Sequence, residues 1–272
     1  MGTKTKRKPA KRKKAGKTKQ QNKRLLLIVI GTVLVLAGMF CAFFAFRGTG
    51  RRSGNVVRLN KEIASGIDVS SHNGEIDWKT VKKETDFAFI RVGYRGYSEG
   101  EINEDKRAKY NLKQANKYDV PIGVYFYSQA VNDEEAEEEA DFVLSKIKNA
   151  NISLPVVIDF EYAQKNGKFA GRLYGAQLSN KQRTSLINAF CAKIRKAGYT
   201  PGIYASSYIY KMCLNMKSFD KDIFIWVADY NKEVTYKGFY DIWQYTEKGK
   251  CKGVSSKAVD LNRWYITKRL QD

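Results

Sequence analysis

The chain is poor in the residues that most often build metal and redox sites. It has one histidine, His72, and four cysteines, with no C-x-x-C spacing. Zinc sites of the usual type draw on closely spaced cysteine and histidine ligands, so none is expected, and neither is a cofactor. Cys41 lies in an apolar run. Cys191, Cys213 and Cys251 lie beyond it and cannot all pair; a Cys213–Cys251 bridge stays open. Acidic residues are missing from residues 1–24, which hold twelve lysines and arginines. The net charge of +21 is therefore largely a property of the tail, and residues 53–272 carry only about +6. Charge is missing altogether from residues 25–46, "LLLIVIGTVLVLAGMFCAFFAF".

As a helix, that 22-residue run would extend roughly 33 Å, enough to cross a bilayer core. It is longer than the apolar part of a cleavable signal peptide and has no good small-residue cleavage pair. The expectation is an uncleaved transmembrane helix at 25–46. Its basic flank, 1–24, then stays cytoplasmic as a disordered tail, and the remainder faces outward from the cell membrane. The tail charge orients the span; no nucleic-acid partner is expected. Residues 47–64 read as a linker, with Gly48, Gly50, Gly54 and several basic residues.

Residues 65–272 read as one domain. Short apolar runs at 65–71, 86–94, 120–130, 154–162 and 200–207 alternate with helical stretches at 75–83, 103–118, 132–150, 181–198 and 208–216. Asp77, Asn103 and Asn132 are candidate caps, and Ser179 with Gln182 forms a capping box. Three further strands, at 222–230, 240–246 and 258–264, follow with connectors too short for full helices. The fold class is α/β: five strand–helix units and three strands, an irregular TIM-like (β/α)5(β)3 barrel.

The strand "LPVVIDFEY" (154–162) ends in two carboxylates, Asp159 and Glu161. Side chains at i and i+2 share a strand face, so both point one way, with Phe160 opposite. In α/β barrels this strand end carries the active site. Other strand ends bring Asp68, Asp229, Asp260, Tyr125, Tyr127 and Tyr204, and Trp226 and Trp243 add flat apolar faces. Carboxylates transfer protons at glycosidic bonds and aromatic rings stack on sugars, so a saccharide cleft is the expectation. Two like charges on one face raise a carboxyl pKa, which suits a general acid.

Taken in order, "GIDVSSHNGEIDW", "IGVYFYS", "VVIDFE", "PGIYAS", "IWVADY" and "DIWQYT…GVSSKAVDLNRW" resemble the lysozymes of glycoside hydrolase family 25, the Chalaropsis-type muramidases. The resemblance spans roughly residues 65–265. It implies hydrolysis of the β-1,4 bond from N-acetylmuramic acid to N-acetylglucosamine in peptidoglycan, without metal. It implies Glu161 as proton donor, Asp159 as assisting carboxylate and Asp68 and Asp260 as further site acids, with Gln244 of the DIWQYT motif among the substrate-binding residues. Retaining, inverting and substrate-assisted routes stay open; the last, with Asp159 orienting the substrate's 2-acetamido group, is preferred. The stretch "AQKNGKFAGRLYGAQLS" after Glu161 is expected to shape the cleft or fold over it, and the anchor to supply localisation in place of wall-binding repeats. A family 18 chitinase would carry D-x-x-D-x-D-x-E, but Leu154 and Val157 stand where two of its acids belong. A glucosaminidase-like hydrolase and a non-catalytic, membrane-anchored peptidoglycan-binding protein stay open as well.

Overall fold

The computed structural model describes Gly2 and residues 62–266. Apart from Gly2, the expected tail, the span at 25–46 and nearly all of the linker lie outside the described residues. Among those described, no helix is long and apolar enough to cross a membrane.

Eight strands close a barrel. Around it run β1 (Ile63–Val69), β2 (Phe87–Arg95), β4 (Ile122–Ser128), β5 (Val156–Phe160), β8 (Pro201–Ser206), β9 (Phe224–Ala228), β10 (Ile242–Gly249) and β11 (Val259–Tyr265). Neighbours pair in parallel from β1 through β10. β11 runs antiparallel to both β10 and β1 and closes the ring. This is the irregular α/β barrel expected, with compressed final strands in place of helix-linked ones; the antiparallel β11 makes it mixed. β3 (Ile102–Glu104) adds an antiparallel extension to β2.

The helices follow their caps. Asp77 accepts from the backbone N–H groups of Lys79 and Thr80 to start α1 (Trp78–Glu84). Asn132 caps α3 (Asp133–Ile147), whose acidic first turn and Lys146 near its end suit the helix dipole. Ser179 and Gln182 form the capping box of α5 (Asn180–Lys196), and Ser206 caps α6 (Ser207–Met212). Asn103 is not a cap. It sits in β3, paired with Tyr94, and α2 (Ala108–Lys117) starts later, behind Arg107. The ladder on the end of β2 satisfies the backbone of 102–104 before a helix can. The stretch after Glu161 folds as a hairpin, β6 (Ala163–Lys165) and β7 (Lys168–Ala170), followed by α4 (Gly171–Gly175). Asn166 and Gly167 both take positive φ at its tip, the geometry a two-residue hairpin turn requires. Cys191, Cys213 and Cys251 are free thiols.

Alternation along each strand divides the core. One face packs under the helices; the other fills the barrel with Phe87, Phe89, Val157, Phe224, Trp226 and Trp264. Phe87 and Phe224 meet Trp264 edge-on, at 5.6 and 5.2 Å between ring centroids. Gly66 leaves room for this packing: a Cβ there would lie 2.2 Å from the Phe87 ring. Gly66→Ala is therefore expected to destabilise the barrel by about 1–3 kcal/mol, read as a lower thermal midpoint; an unchanged midpoint would refute this account of the barrel floor. The aromatic plug closes the lower barrel, so polar inward-facing residues gather at the opposite end.

Candidate active site

Above the plug, the strand ends surround an open cleft of about 950 Å³. Asp68, Tyr125, Tyr127, Asp159, Glu161, Tyr204, Trp226, Gln244 and Asp260 all line it. Asp159 and Glu161 face this trough together, while Phe160 between them is buried in the outer core. The i, i+2 reading of the strand end thus places both carboxyls on one side.

The floor is a connected polar network. Asp68 and Asp260 are directly opposite each other on β1 and β11. The Oδ2 of Asp68 accepts from Gln244 Nε2 (2.9 Å) and Asn262 Nδ2 (2.8 Å). Gln244 Oε1 accepts from the hydroxyls of Tyr204 (2.8 Å) and Tyr230 (2.7 Å). Trp226 Nε1 donates to Asn262 Oδ1 at 2.8 Å. Each amide is thereby fixed in orientation, with its N–H groups aimed at Asp68. Burial pushes the Asp68 carboxyl up, partly offset by those donors. Burial and the Asp68 charge push Asp260 up to about 9. At neutral pH Asp260 therefore keeps its proton, in a hydrogen bond to Asp68.

Glu161 stands where β5 gives way to its loop. Gln129, fully buried, donates its Nε2 to the Glu161 carbonyl oxygen (3.0 Å). Arg172 of α4 donates to the Gln129 carbonyl (2.8 Å) and grips Glu135 with two bonds of 2.6 and 2.7 Å. The inserted hairpin and helix are thus tied to the backbone that carries Glu161. They are not among the residues lining the cleft; Tyr162, Phe169 and Tyr174 pack against one another. Burial, then the charges of Asp68 and Glu247, raise Glu161 to about 7. Burial, then repulsion from Glu161, raises Asp159 as well. Asp159 is 5 % exposed, and its Oδ1 has no hydrogen-bond partner among the described residues.

Two expected site residues lie elsewhere. Asp229 does not line the cleft. Burial alone would raise its carboxyl, but bonds from Ser207, Thr235 and Asn231 hold it well below the usual range. It organises the loop after β9. Trp243 points outward: its Nε1 donates to the Asp229 carbonyl (2.6 Å), and it packs in the outer core. Strand alternation explains this, since Ile242 and Gln244 take the inward positions. Conversely, the cleft includes Arg91, Tyr94, Lys106 and Glu247, and its floor network includes Asn262 and Tyr230, none of them among the expected site residues. Asn262 was accessible through its i+2 relation to Asp260. Glu247 was not, because a register shift in β10 after Gln244 breaks the simple alternation. Among the described residues, no group of three or more His, Cys, Asp or Glu side chains is placed to hold a metal ion.

Comparison with known proteins agrees with this arrangement. Residues 67–254 match the family described as glycosyl hydrolases family 25. Lysozyme M1 of Streptomyces globisporus is 29 % identical over 210 residues, covering 73 % of this chain and 67 % of that protein. The autolysin LytC of Streptococcus pneumoniae, solved in complex with a synthetic peptidoglycan ligand, is 31 % identical with a TM-score of 0.60. The match covers 75 % of this chain but 47 % of LytC, about half its length. A bacterial lysozyme from Streptomyces coelicolor is 25 % identical with a TM-score of 0.59, over 75 % of this chain and 95 % of that one. A barrel closed by one antiparallel strand, an acid pair at the end of its β5 strand and this family match converge: the chain belongs to glycosyl hydrolase family 25, the lysozyme-type glycoside hydrolases.

Proposed function

We propose that the protein is an N-acetylmuramidase: it hydrolyses the β-1,4 bond between N-acetylmuramic acid and N-acetylglucosamine in peptidoglycan, with Glu161 as general acid/base and Asp159 as assisting carboxylate. One observation carries this reading. Two carboxyls share the wall of an open trough, one raised to about 7 and the other retaining a buried oxygen without a partner. The N–H of a muramyl 2-acetamido group supplies what Asp159 Oδ1 lacks. Accepting that bond favours ionised Asp159 and leaves the pair's proton on Glu161.

The steps follow. Asp159 turns the acetamido carbonyl oxygen toward the anomeric carbon. Glu161 gives its proton to the glycosidic oxygen as that bond breaks, and the acetamido oxygen closes a ring on the anomeric carbon. Glu161, now ionised, takes a proton from water; the resulting hydroxide adds to the anomeric carbon and reopens the ring. Asp159 balances the positive charge that develops on the acetamido nitrogen. Asp68 and Asp260, with one proton between them, complete the floor beneath the sugar. Tyr125, Tyr127, Tyr204 and Trp226 supply its apolar surfaces.

The direct test gives the full-length protein purified peptidoglycan and identifies new reducing ends by mass spectrometry. Muramic-acid ends are expected. Glucosamine ends would make it a glucosaminidase, and binding without cleavage would favour a non-catalytic wall-binding role. The pH profile is a second check. Glu161 must be protonated to act, so kcat/KM should fall as pH rises through about 7. Glu247→Gln removes one of the charges that raise Glu161, so it should move this fall to lower pH.

The uncharged run at 25–46 and its basic flank support a single-pass anchor with the barrel on the wall side of the membrane. External protease should then digest the barrel in intact spheroplasts while sparing an epitope fused before Met1. Protection of the barrel would refute that topology.

A further inference from the structure

We propose that Arg91, oriented by Asp105 and assisted by Lys106, forms a subsite for the lactyl carboxyl arm that distinguishes a muramyl residue from a glucosaminyl one. This deepens the muramidase reading and rests on it.

Arg91 is the cation of strand β2 that faces the cleft, two positions beyond Phe89 and on the same inward face; Arg95, at the strand's end, pairs with Glu139 instead. Charging a barrel wall is costly unless the charge is paired. The pairing is one-sided. Arg91 Nε donates to Asp105 Oδ2 at 2.9 Å, and Nη2 reaches Ser71 Oγ at 3.3 Å. Nη1 makes no hydrogen bond among the described residues. Asp105 is itself locked: its side chain is fully buried and also accepts from the backbone N–H groups of Ser71 (3.0 Å) and Arg107 (2.9 Å). A structural ion pair would seal the guanidinium away. Here its outer edge lines the cleft, and the exposed Lys106 lines it from the neighbouring position. This wall is cationic, whereas carboxyls, Glu161 and Glu247 among them, line the rest of the cleft.

Register connects the cation to the chemistry. Arg91 is opposite Tyr125 in the β2–β4 ladder, and Asp159 is opposite Tyr127 in the β4–β5 ladder. Arg91 and Asp159 thus flank β4 on one face, with their strands roughly 10 Å apart. In a muramyl residue, the 2-acetamido group and the 3-O-lactyl arm stand on adjacent ring carbons. A ring whose acetamido N–H reaches Asp159 can direct its lactyl arm toward Arg91. A guanidinium edge is well matched to a carboxylate, or to the carbonyl of a lactyl group joined to a stem peptide. A glucosaminyl residue has only a hydroxyl at that position.

The test measures binding to full-length protein carrying Glu161→Gln, so that no ligand is consumed. The probes are a peptide-free muramyl-glucosaminyl tetrasaccharide with free lactyl carboxylates and chitotetraose, which has none. Adding Arg91→Gln should weaken muramyl binding about 10–100-fold and change chitotetraose binding by less than about threefold, with Arg91→Lys recovering part of the loss. Lys106→Gln, at an exposed position that does not endanger folding, should lower muramyl binding several-fold and leave chitotetraose unchanged. Equal losses on both probes, or no loss on either, would overturn the proposal. Should Arg91→Gln fail to fold, the Arg91→Lys and Lys106→Gln variants decide by the same ratio. The muramidase reading fails separately, if wild-type protein selects the muramyl probe yet cuts no peptidoglycan.

Discussion

Glu161→Gln is expected to lower turnover on peptidoglycan by two to four orders of magnitude, with substrate binding kept within a few-fold. Gln keeps the shape and can still donate a hydrogen bond, but it cannot give a proton to the leaving oxygen. The same substitution should make the protein more stable in alkali. Glu161 is raised in the fold to about 7 by burial and by Asp68 and Glu247. A carboxyl raised in this way contributes its stability fully below its unfolded pKa, near 4.3, and loses it as pH rises through 7. Above that, an ionised Glu161 opposes folding and a neutral Gln does not. After allowance for solvent screening in the open cleft, the gain at pH 8 is about 1–2 kcal/mol, or roughly 2–8 °C in the thermal midpoint. At pH 4 the two proteins should melt together. Steady-state turnover and melting curves at both pH values check this. A variant that cleaves normally would remove Glu161 from the proton-donor role.

The gain and the loss have one cause. Asp68, Asp159, Glu161, Glu247 and Asp260 line the cleft against Arg91 and Lys106, and the fold tolerates the excess of carboxyls by letting protons stay bound. Asp260 keeps its proton against Asp68, and Glu161 keeps one into the neutral range. The floor amides, Gln244 and Asn262, both donate to Asp68 and fix its orientation. Such a site exchanges folding stability for poised acid groups.

What was legible in the sequence follows from periodicity. The inward position of Asp159 and Glu161 depends on a two-residue repeat, and the helix starts at Trp78, Asp133 and Asn180 depend on local capping chemistry. Both act over a few residues. Asn103 has cap chemistry too, but a ladder with Tyr94, nine residues back, overrode it. Trp243 was misplaced although the same alternation that oriented Asp159 turns it outward. The Asn166-Gly167 pair is a hairpin signal that was there to be read within the stretch after Glu161. Glu247 and the loop role of Asp229 depend on a register shift in β10 and on partners up to 22 residues away, which no local pattern encodes.

Asp159→Asn is expected to lower kcat by about two to three orders of magnitude, with KM changed little: the Asn oxygen still accepts the acetamido N–H, and the charge balance it cannot supply belongs to the transition state. The route through the acetamido group makes a sharper claim. Asp159 and that group act as one unit: the carboxylate orients the amide and balances the charge that grows on its nitrogen. Their removals should then not add. Wild-type protein should be slowed strongly on glycan whose muramyl nitrogen carries no acetyl group. The Asp159→Asn variant, already slow, should lose little more on that substrate. The four rates form a double-mutant cycle across the enzyme–substrate boundary, and its coupling energy should be large. Additive losses would mean that Asp159 works independently of the acetamido group, either as the nucleophile itself or as a base for water. The unpartnered Oδ1 of Asp159 favours the coupled result. A buried carboxylate oxygen is costly to leave unsatisfied, and an acetamido N–H arriving with the substrate removes that cost at the moment the amide is needed for attack.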